Sequence, residues 1–435
     1  MEFAVVNPLH VIRHARENSQ YGSKESFVTS PDAHILNDDW SDLSRIRPLP
    51  DVDHARLYAY RTECMRASLR QHGAAMVMLV NPISLRYALD YRTYPLWQAH
   101  AHTTYAFFPA EGPIVAYNVY GNPPGADDVR VGRQNTYFDG GTELPENARL
   151  IAQDVCDFLA EIGTDNRRVA IEYVNPSLTQ ALLQRGLEVI DGVAVAEEAR
   201  IIKSPDEILC IKWAVEVAEH GIAQVKAALR PGVSEVQLWG LLNYTNLANS
   251  GDWHNGRMLA SGHRVNPWLQ EATDKKVEAG DLVAFDTDMV GPFGYFADIS
   301  RTFFCGPGKP SSRQKQLYRL ALEEIEYNSK LVRPGVTLSE IQERAWKTPD
   351  QYKENAYCCV LHGVGMTDEY PRVNPIYRGP NPYDGVIQEG MVVCIESYMG
   401  GVGERDGVKL EQQVLVTSDG IEPISTYPWE SEFLE

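Results

Sequence analysis

From residue 53 onward the apolar positions change period again and again. The segment DHARLYAYRTECMRASLRQHG reads as a helix, and it runs into the compact apolar block AAMVMLV, which predicts a strand. The blocks GPIVAYNVY and RRVAIEY predict further strands with helices between them, so residues 51–200 read as a small α/β domain. At RIIKSPDEI the pattern restarts: Ser204 offers a cap, Pro205 the first helical position, and Asp206 and Glu207 the acids of a first turn. Residues 1–50 are polar and irregular, end in RIRPLPD, and predict an N-terminal arm. Residues 201–435 remain as a second and larger domain.

Past the boundary the chain repeats itself. AALRPGVSEVQLWGLL is echoed by KLVRPGVTLSEIQERA, and VEAGDLVAFDTDM by IQEGMVVCIESYM, the two pairs lying 103 and 110 residues apart. Repeated helix caps and strands at nearly one offset predict two similar αβ halves related by a pseudo-twofold axis. In that superposition Asp286 falls on Glu396, which puts a carboxylate from each half near the axis.

The stretch AFDTDMVGPFGYFADISRTFF breaks its own pattern, because Asp286, Asp288 and Asp298 interrupt what otherwise reads as buried strand, turn and strand. Alternation in a strand sends Asp286 and Asp288 to one face. The GPFG turn then brings Asp298 back beside them. Three converging carboxylates need a cation between them unless they stand in water.

Composition narrows the setting. The chain has 435 residues, 44% of them hydrophobic and 23% charged, a globular composition long enough for more than one core. Its net charge of -19, with no basic cluster, argues against nucleic acid and anionic membrane as partners and favours a small neutral, zwitterionic or cationic one. Seven scattered cysteines without a CxxC pair read as reduced thiols. No apolar run reaches membrane-spanning length and no signal-peptide pattern opens the chain, so a cytoplasmic protein is expected.

Three more candidate ligands sit in or beside strand-like runs: His362 in LHGVGMTDEYP, Glu396 in VVCIESYM and Glu411 in GVKLEQQVLV. Oxygen-rich ligation with one imidazole suits Mn, Fe, Co or Zn in a reactive site and not a structural zinc. So many carboxylates point to two metal ions with shared ligands. The order Asp, Asp, His, Glu, Glu, with HGVG around the histidine and the RPGV repeat, resembles the pita-bread metallopeptidase family. That family includes methionine aminopeptidase, aminopeptidase P, prolidase and creatinase. The resemblance covers the chain from about residue 205, and the preceding α/β domain resembles that of prolidase and creatinase. It implies a pita-bread catalytic domain whose ligands are Asp286 or Asp288, Asp298, His362, Glu396 and Glu411.

The chain leaves the peptidase pattern in places. It carries Asp286 and Asp288 before Asp298 where the peptidases have one aspartate, which would give six ligands. Leu269 in NPWLQEATD stands where a peptidase has a substrate-contacting histidine, and Asp368 and Glu369 follow HGVG where another is expected. This combination, with Tyr357, resembles one branch, the pita-bread dimethylsulfoniopropionate lyases of marine bacteria. That resemblance implies cleavage of a small zwitterionic sulfonium to dimethyl sulfide and acrylate by β-elimination, two metal ions, iron in that branch, and a homodimer. Asp368 is the expected base, its pKa raised by burial beside other acids, and Tyr357 would gate or pack against the substrate. Tyr94 and Trp97 in YRTYPLW, with Tyr91, are expected to offer rings to the sulfonium, across the dimer. His100 and His102 read as structural residues on a strand-like run. An Xaa-Pro metallopeptidase and a non-catalytic binding module are the alternatives.

Overall fold

The computed structural model describes residues 49–92 and 94–435. The expected N-terminal arm, apart from its last two residues, lies outside them.

The first sheet takes its strands from the N-terminal half: β1 (Met76–Leu79), β2 (Tyr105–Pro109), β3 (Val115–Tyr117), β4 (Asp128–Arg130), β5 (Arg168–Ile171) and β6 (Glu188–Asp191). Their order is β4-β3-β2-β1-β5-β6, with β1, β5 and β6 parallel and β2 antiparallel to β1. Alternation along β1 sends its side chains into two different cores. Met76 and Met78 pack with Phe107, Val155 and Phe158 on one face. Val77 and Leu79 join Leu57 and Met65 on the other, in a core that continues to Trp213 and Phe285. A central strand buried on both faces is apolar throughout, which explains the unbroken run AAMVMLV. The short strands β4 and β6 are largely exposed and left no such signal. The expected strand at His100 and His102 is instead the end of helix Pro95–His100 and the loop after it. Pro95 at the first helical position, after Tyr94 with non-helical φ and ψ, starts a helix there.

In the second half come β7 (Trp253–His254), β8 (Leu259–Ser261), β9 (Leu282–Asp286), β10 (Met289–Val290), β11 (Phe296–Ala297) and β12 (Ser300–Phe304). They are followed by β13 (Leu361–Val364), β14 (Asp368–Val373), β15 (Val392–Met399), β16 (Val408–Val416) and β17 (Ile421–Pro423). These strands form sheets ordered β12-β9-β8, β11-β10-β7 and β14-β13-β15-β16-β17. The repeated sequences occupy repeated structure. Ser234 and Thr337 cap helices Glu235–Ala248 and Leu338–Arg344, each within a capping box. Each also forms an isolated antiparallel bridge, Ser234 with Lys276 and Thr337 with Val386. The same backbone bonds recur beside them: Gly232 N donates to Val277 O at 2.8 Å and Gly335 N to Ile387 O at 2.9 Å. Asp286 closes β9 and Glu396 lies in β15, at matching places in matching halves.

The two parts are tied by buried charge. Ser204 and Glu207 form the capping box of helix Pro205–Ala228, and Glu207 serves a second purpose through its other oxygen. Tyr295 donates to Glu207 Oε1 at 2.9 Å and Arg61 Nη2 donates to Tyr295 at 2.6 Å. Arg61 and Glu207 are each only 2% exposed in their side chains. Arg61→Met should therefore lower stability by about 3 kcal/mol or more, because it leaves Glu207 buried without its cation. A urea midpoint that moves by less than the equivalent of about 1 kcal/mol would show the charge to be solvated or otherwise compensated.

Candidate metal centre

Each candidate ligand is delivered by a strand or by the turn beside one. β15 pairs with β16 so that Glu396 faces Glu411, and β13 pairs with β15 so that His362 faces Cys394. Asp286 ends β9 opposite Ser300 of β12. The alternation expected across Asp286 and Asp288 does not hold, since the strand stops at Asp286 and Asp288 takes a positive φ of 38°. Aspartate tolerates that left-handed conformation. Thr287 meanwhile turns away and bridges the strands, donating to Ala297 O at 2.7 Å and accepting from Ile299 N at 3.0 Å. The two aspartates converge because the backbone kinks around an anchored threonine. Asp298 returns between β11 and β12, after a turn in which Phe293 and Gly294 both have positive φ.

The structure gathers these side chains into two overlapping groups. Asp286, Asp288 and Asp298 offer oxygen atoms within 4.8 Å of one another, and so do the ligand atoms of Asp298, His362, Cys394 and Glu411. His362 Nε2 lies 3.2 Å from Glu396 Oε1, 3.6 Å from Asp298 Oδ2 and 3.7 Å from Glu411 Oε1. Asp298 is shared between the groups, as a bridging carboxylate would be.

Lys409 is a member of this cluster that the sequence reading overlooked. Fully buried, its Nζ lies 2.6 Å from Glu396 Oε2, 3.2 Å from Asp286 Oδ2 and 3.5 Å from Glu411 Oε2, and donates to Ser300 Oγ at 2.6 Å. The signal was present in GVKLEQQ: period two along β16 puts Lys409, Glu411 and Gln413 on one face. Gln413 also serves the site, accepting from Asp298 N at 3.0 Å.

One ammonium and one imidazole do not balance five carboxylates. Burial, reinforced by Glu411, pushes Asp286 up to about 6 against the pull of Lys409, and burial with Glu411 pushes Glu396 up to about 8. Asp288 and Asp298 are also raised by burial and their acidic neighbours. Burial acts to raise Glu411 too, but Lys409 and His362 prevail and hold it below the ordinary carboxylate range. Asp286 Oδ1, Asp298 Oδ1 and Glu411 Oε1 are buried without a hydrogen-bond partner among the described residues. Lys409 holds the second oxygen of Asp286 and Glu411, which leaves these orphaned ones for a cation. The donor set, carboxylates with one imidazole, fits a divalent metal pair.

Beside the cluster opens a pocket of about 420 Å³, lined by Asp288, Asp298, His362, Tyr357 and Asp368 among others. Asp368 Oδ1 lies 3.5 Å from His362 Nδ1. Its expected burial is not found: the side chain is 52% exposed, because β14 alternates with Asp368 outward and Glu369 inward. Glu369 is instead clamped by Arg200 at 2.9 Å and Lys203 at 3.2 Å and accepts from Met366 N. That engagement removes it from the pool of free bases. The glycines of HGVG follow from close approach, since a Cβ on Gly363 would meet Tyr370 O at 2.2 Å and one on Gly365 would meet Glu369 Oε2 at 2.3 Å. Tyr357 is mostly buried, with Lys409 Nζ 4.5 Å from its ring centroid.

The rings expected to serve the sulfonium across a dimer do not face the pocket of their own chain. Tyr91 is buried, with its hydroxyl accepting from Tyr120 N. Tyr94 and Trp97 are exposed, and Trp97 packs edge-on against Phe138. None of the three lines the pocket of this chain. Leu269 is exposed at a positive φ of 74° and does not line it either.

Known proteins can be set beside this geometry. The model of metallopeptidase family M24 matches residues 209–418. The dimethylsulfoniopropionate lyase DddP of Roseovarius nubinhibens is 33% identical over 394 residues, 88% of this chain and 88% of that protein. The protein of the same name from Roseobacter denitrificans is 31% identical with the same coverage. Among solved structures, an Xaa-Pro dipeptidase from Bacillus anthracis shares the fold at a TM-score of 0.69 and 23% identity, covering 86% of this chain and 99% of its own.

Metal uptake should be coupled to protons. Carboxyls raised by burial hold protons at pH values where free carboxylates do not, and a metal must displace them. Affinity for a divalent metal should therefore rise between about pH 6 and pH 8, the range bounded by Asp286 and Glu396. Calorimetric titration in buffers of different ionisation enthalpy should show net proton release, and Asp298→Ala should abolish tight binding. Uptake independent of pH, or metal retained in Asp298→Ala, would refute this centre.

Proposed function

The chain belongs to metallopeptidase family M24, the pita-bread family, and on that premise we propose that it is a metal-dependent carbon–sulfur lyase. Its substrate in this reading is dimethylsulfoniopropionate, cleaved to dimethyl sulfide and acrylate. The observation that carries the reading is the pairing of a complete carboxylate and histidine cluster with a free acid, Asp368, beside His362 in the pocket. Likeness to two lyases over 88% of the chain supports it.

In this reading Asp286, Asp288, Asp298, His362, Glu396 and Glu411 would hold two metal ions, iron by analogy with that branch. The ions would supply Lewis-acid stabilisation of the substrate carboxylate as negative charge develops beside it. Lys409 keeps the outer carboxylate oxygens in place. Asp368 Oδ takes the proton from the carbon next to the carboxylate. The electron pair of that C–H bond becomes the new C=C bond, the C–S bond breaks, and its electrons leave with neutral dimethyl sulfide. The solvent-facing side of Asp368 lets the proton pass to water between turnovers, which a buried base could not do as readily. Tyr357 borders the same space and screens it.

Headspace detection of dimethyl sulfide from metal-loaded protein and dimethylsulfoniopropionate tests the reading. Asp368→Asn should cut turnover by roughly 10² to 10⁴ with metal content unchanged. A loss below about tenfold would move the proton transfer to another group and leave the lyase standing. Sharing the fold with an Xaa-Pro dipeptidase keeps one alternative, and release of proline from Xaa-Pro dipeptides without dimethyl sulfide production would establish it.

We also place the protein in the cytoplasm as a homodimer. Its seven cysteines are all free thiols, and no helix among the described residues is long and apolar enough to cross a membrane. The exposed Tyr94 and Trp97 are then surfaces for the partner subunit. Light scattering should give about twice the chain mass, and a monomer under assay conditions would remove that role.

A further inference from the structure

Two adjacent thiols stand in the wall of the metal pocket, and the chemistry above uses neither. Cys358 and Cys359, in the loop that leads into β13, both line it, Cys359 buried and Cys358 half-buried. Alternation along β14 puts Asp368, Tyr370 and Arg372 on its more exposed face, and all three line the same space. Arg372 pairs with His362 in the sheet register, and its Nη2 donates back to Cys358 O at 3.1 Å. It is the only arginine or lysine lining the pocket among the described residues. No carboxylate among them pairs with its guanidinium.

We propose that Cys358 and Arg372 form a covalent trap for short α,β-unsaturated carboxylates, the class to which acrylate belongs; that acrylate arises in this pocket rests on the lyase reading above. A free guanidinium beside a pocket-facing thiol carries this inference. Arginine pairs with a carboxylate at two points, which would hold the acid end of such a molecule and present its double bond to the neighbouring sulfur. The thiolate is the nucleophilic form of cysteine. A hydrogen bond from Cys359 and the charge of Arg372 hold the Cys358 thiol below its ordinary range against burial. Burial pushes Cys64, Cys210, Cys305 and Cys394 the other way.

Free acrylate is a sluggish acceptor, because the charge of its carboxylate opposes attack. Pairing with Arg372 offsets that charge. Cys358 Sγ then forms a bond to the terminal carbon, and the π pair of the C=C bond moves to the carbon beside the carboxylate. The proton that the thiol gave to water returns at that carbon. The product is a thioether, S-(2-carboxyethyl)cysteine, and no oxidant or reductant is consumed. Reversal would expel a thiolate, a poorer leaving group than neutral dimethyl sulfide, so the adduct persists and fills the pocket.

Mass spectrometry of the metal-loaded full chain incubated with acrylate provides the test. The expected result is one added acrylic acid per chain, mapped to Cys358 and absent from that peptide in Cys358→Ser. Acrylamide, a neutral acceptor of the same length, is the control. The acrylate rate divided by the acrylamide rate should fall roughly five- to tenfold in Arg372→Gln. That ratio cancels the ionisation of the thiol, which both reagents share. No adduct at Cys358, labelling spread equally over Cys64, Cys156 and Cys358, or an unchanged ratio would overturn the trap. In a second arm dimethylsulfoniopropionate replaces acrylate. A Cys358 adduct from added acrylate, with neither adduct nor dimethyl sulfide from dimethylsulfoniopropionate, would keep the trap and remove the lyase reading. Dimethyl sulfide release with no adduct in either arm would do the reverse.

Discussion

Five carboxylates drawn out of water around a single ammonium group set the terms for the rest of this molecule. Asp286, Asp298, Glu396 and Glu411 are buried and Asp288 nearly so, and Lys409 is the one lysine among them. Such a cluster is unfavourable without further positive charge, and burial answers by raising the protonation range of four of the five. The surrounding structure must therefore be rigid enough to hold like charges together. Paired strands do this: Glu396 and Glu411 face each other on β15 and β16, and Ser300, opposite Asp286, donates to Glu411 at 2.8 Å.

The internal duplication makes the convergence possible. Each half contributes a capped helix, a bridge from the cap to the loop before the central strand, and an acid on that strand. Bringing two such units together puts their acids side by side without a long or irregular loop. The N-terminal half acts on the centre from outside. Arg200 and Lys203, at the junction between the two parts, grip Glu369 and so set the face of β14 on which Asp368 and Tyr370 meet the pocket. A change at that junction reaches Asp368 through one side chain.

The sequence by itself determined the features that depend on period and on local chemistry. The repeat, the helix start at Ser204, the strands AAMVMLV and VVCIESYM and the three acids in the 284–304 stretch were all legible. Each is a short-range pattern or a residue type out of place in an apolar run. Lys409 was legible too, by the same alternation that exposes Glu411, and was missed because a lysine in a strand reads as a surface residue. Only the tertiary structure decided the remainder. The kink at Asp288 depends on Thr287 being anchored across to Ala297 and Ile299. The exposure of Asp368 and the engagement of Glu369 depend on Arg200, whose position some 170 residues away no local pattern conveys. Which aromatic rings of the chain border its own pocket followed from how β14 and the Tyr383 loop pack. Long-range contacts choose among side chains that local patterning treats alike, because burial and charge pairing act through space and not along the chain.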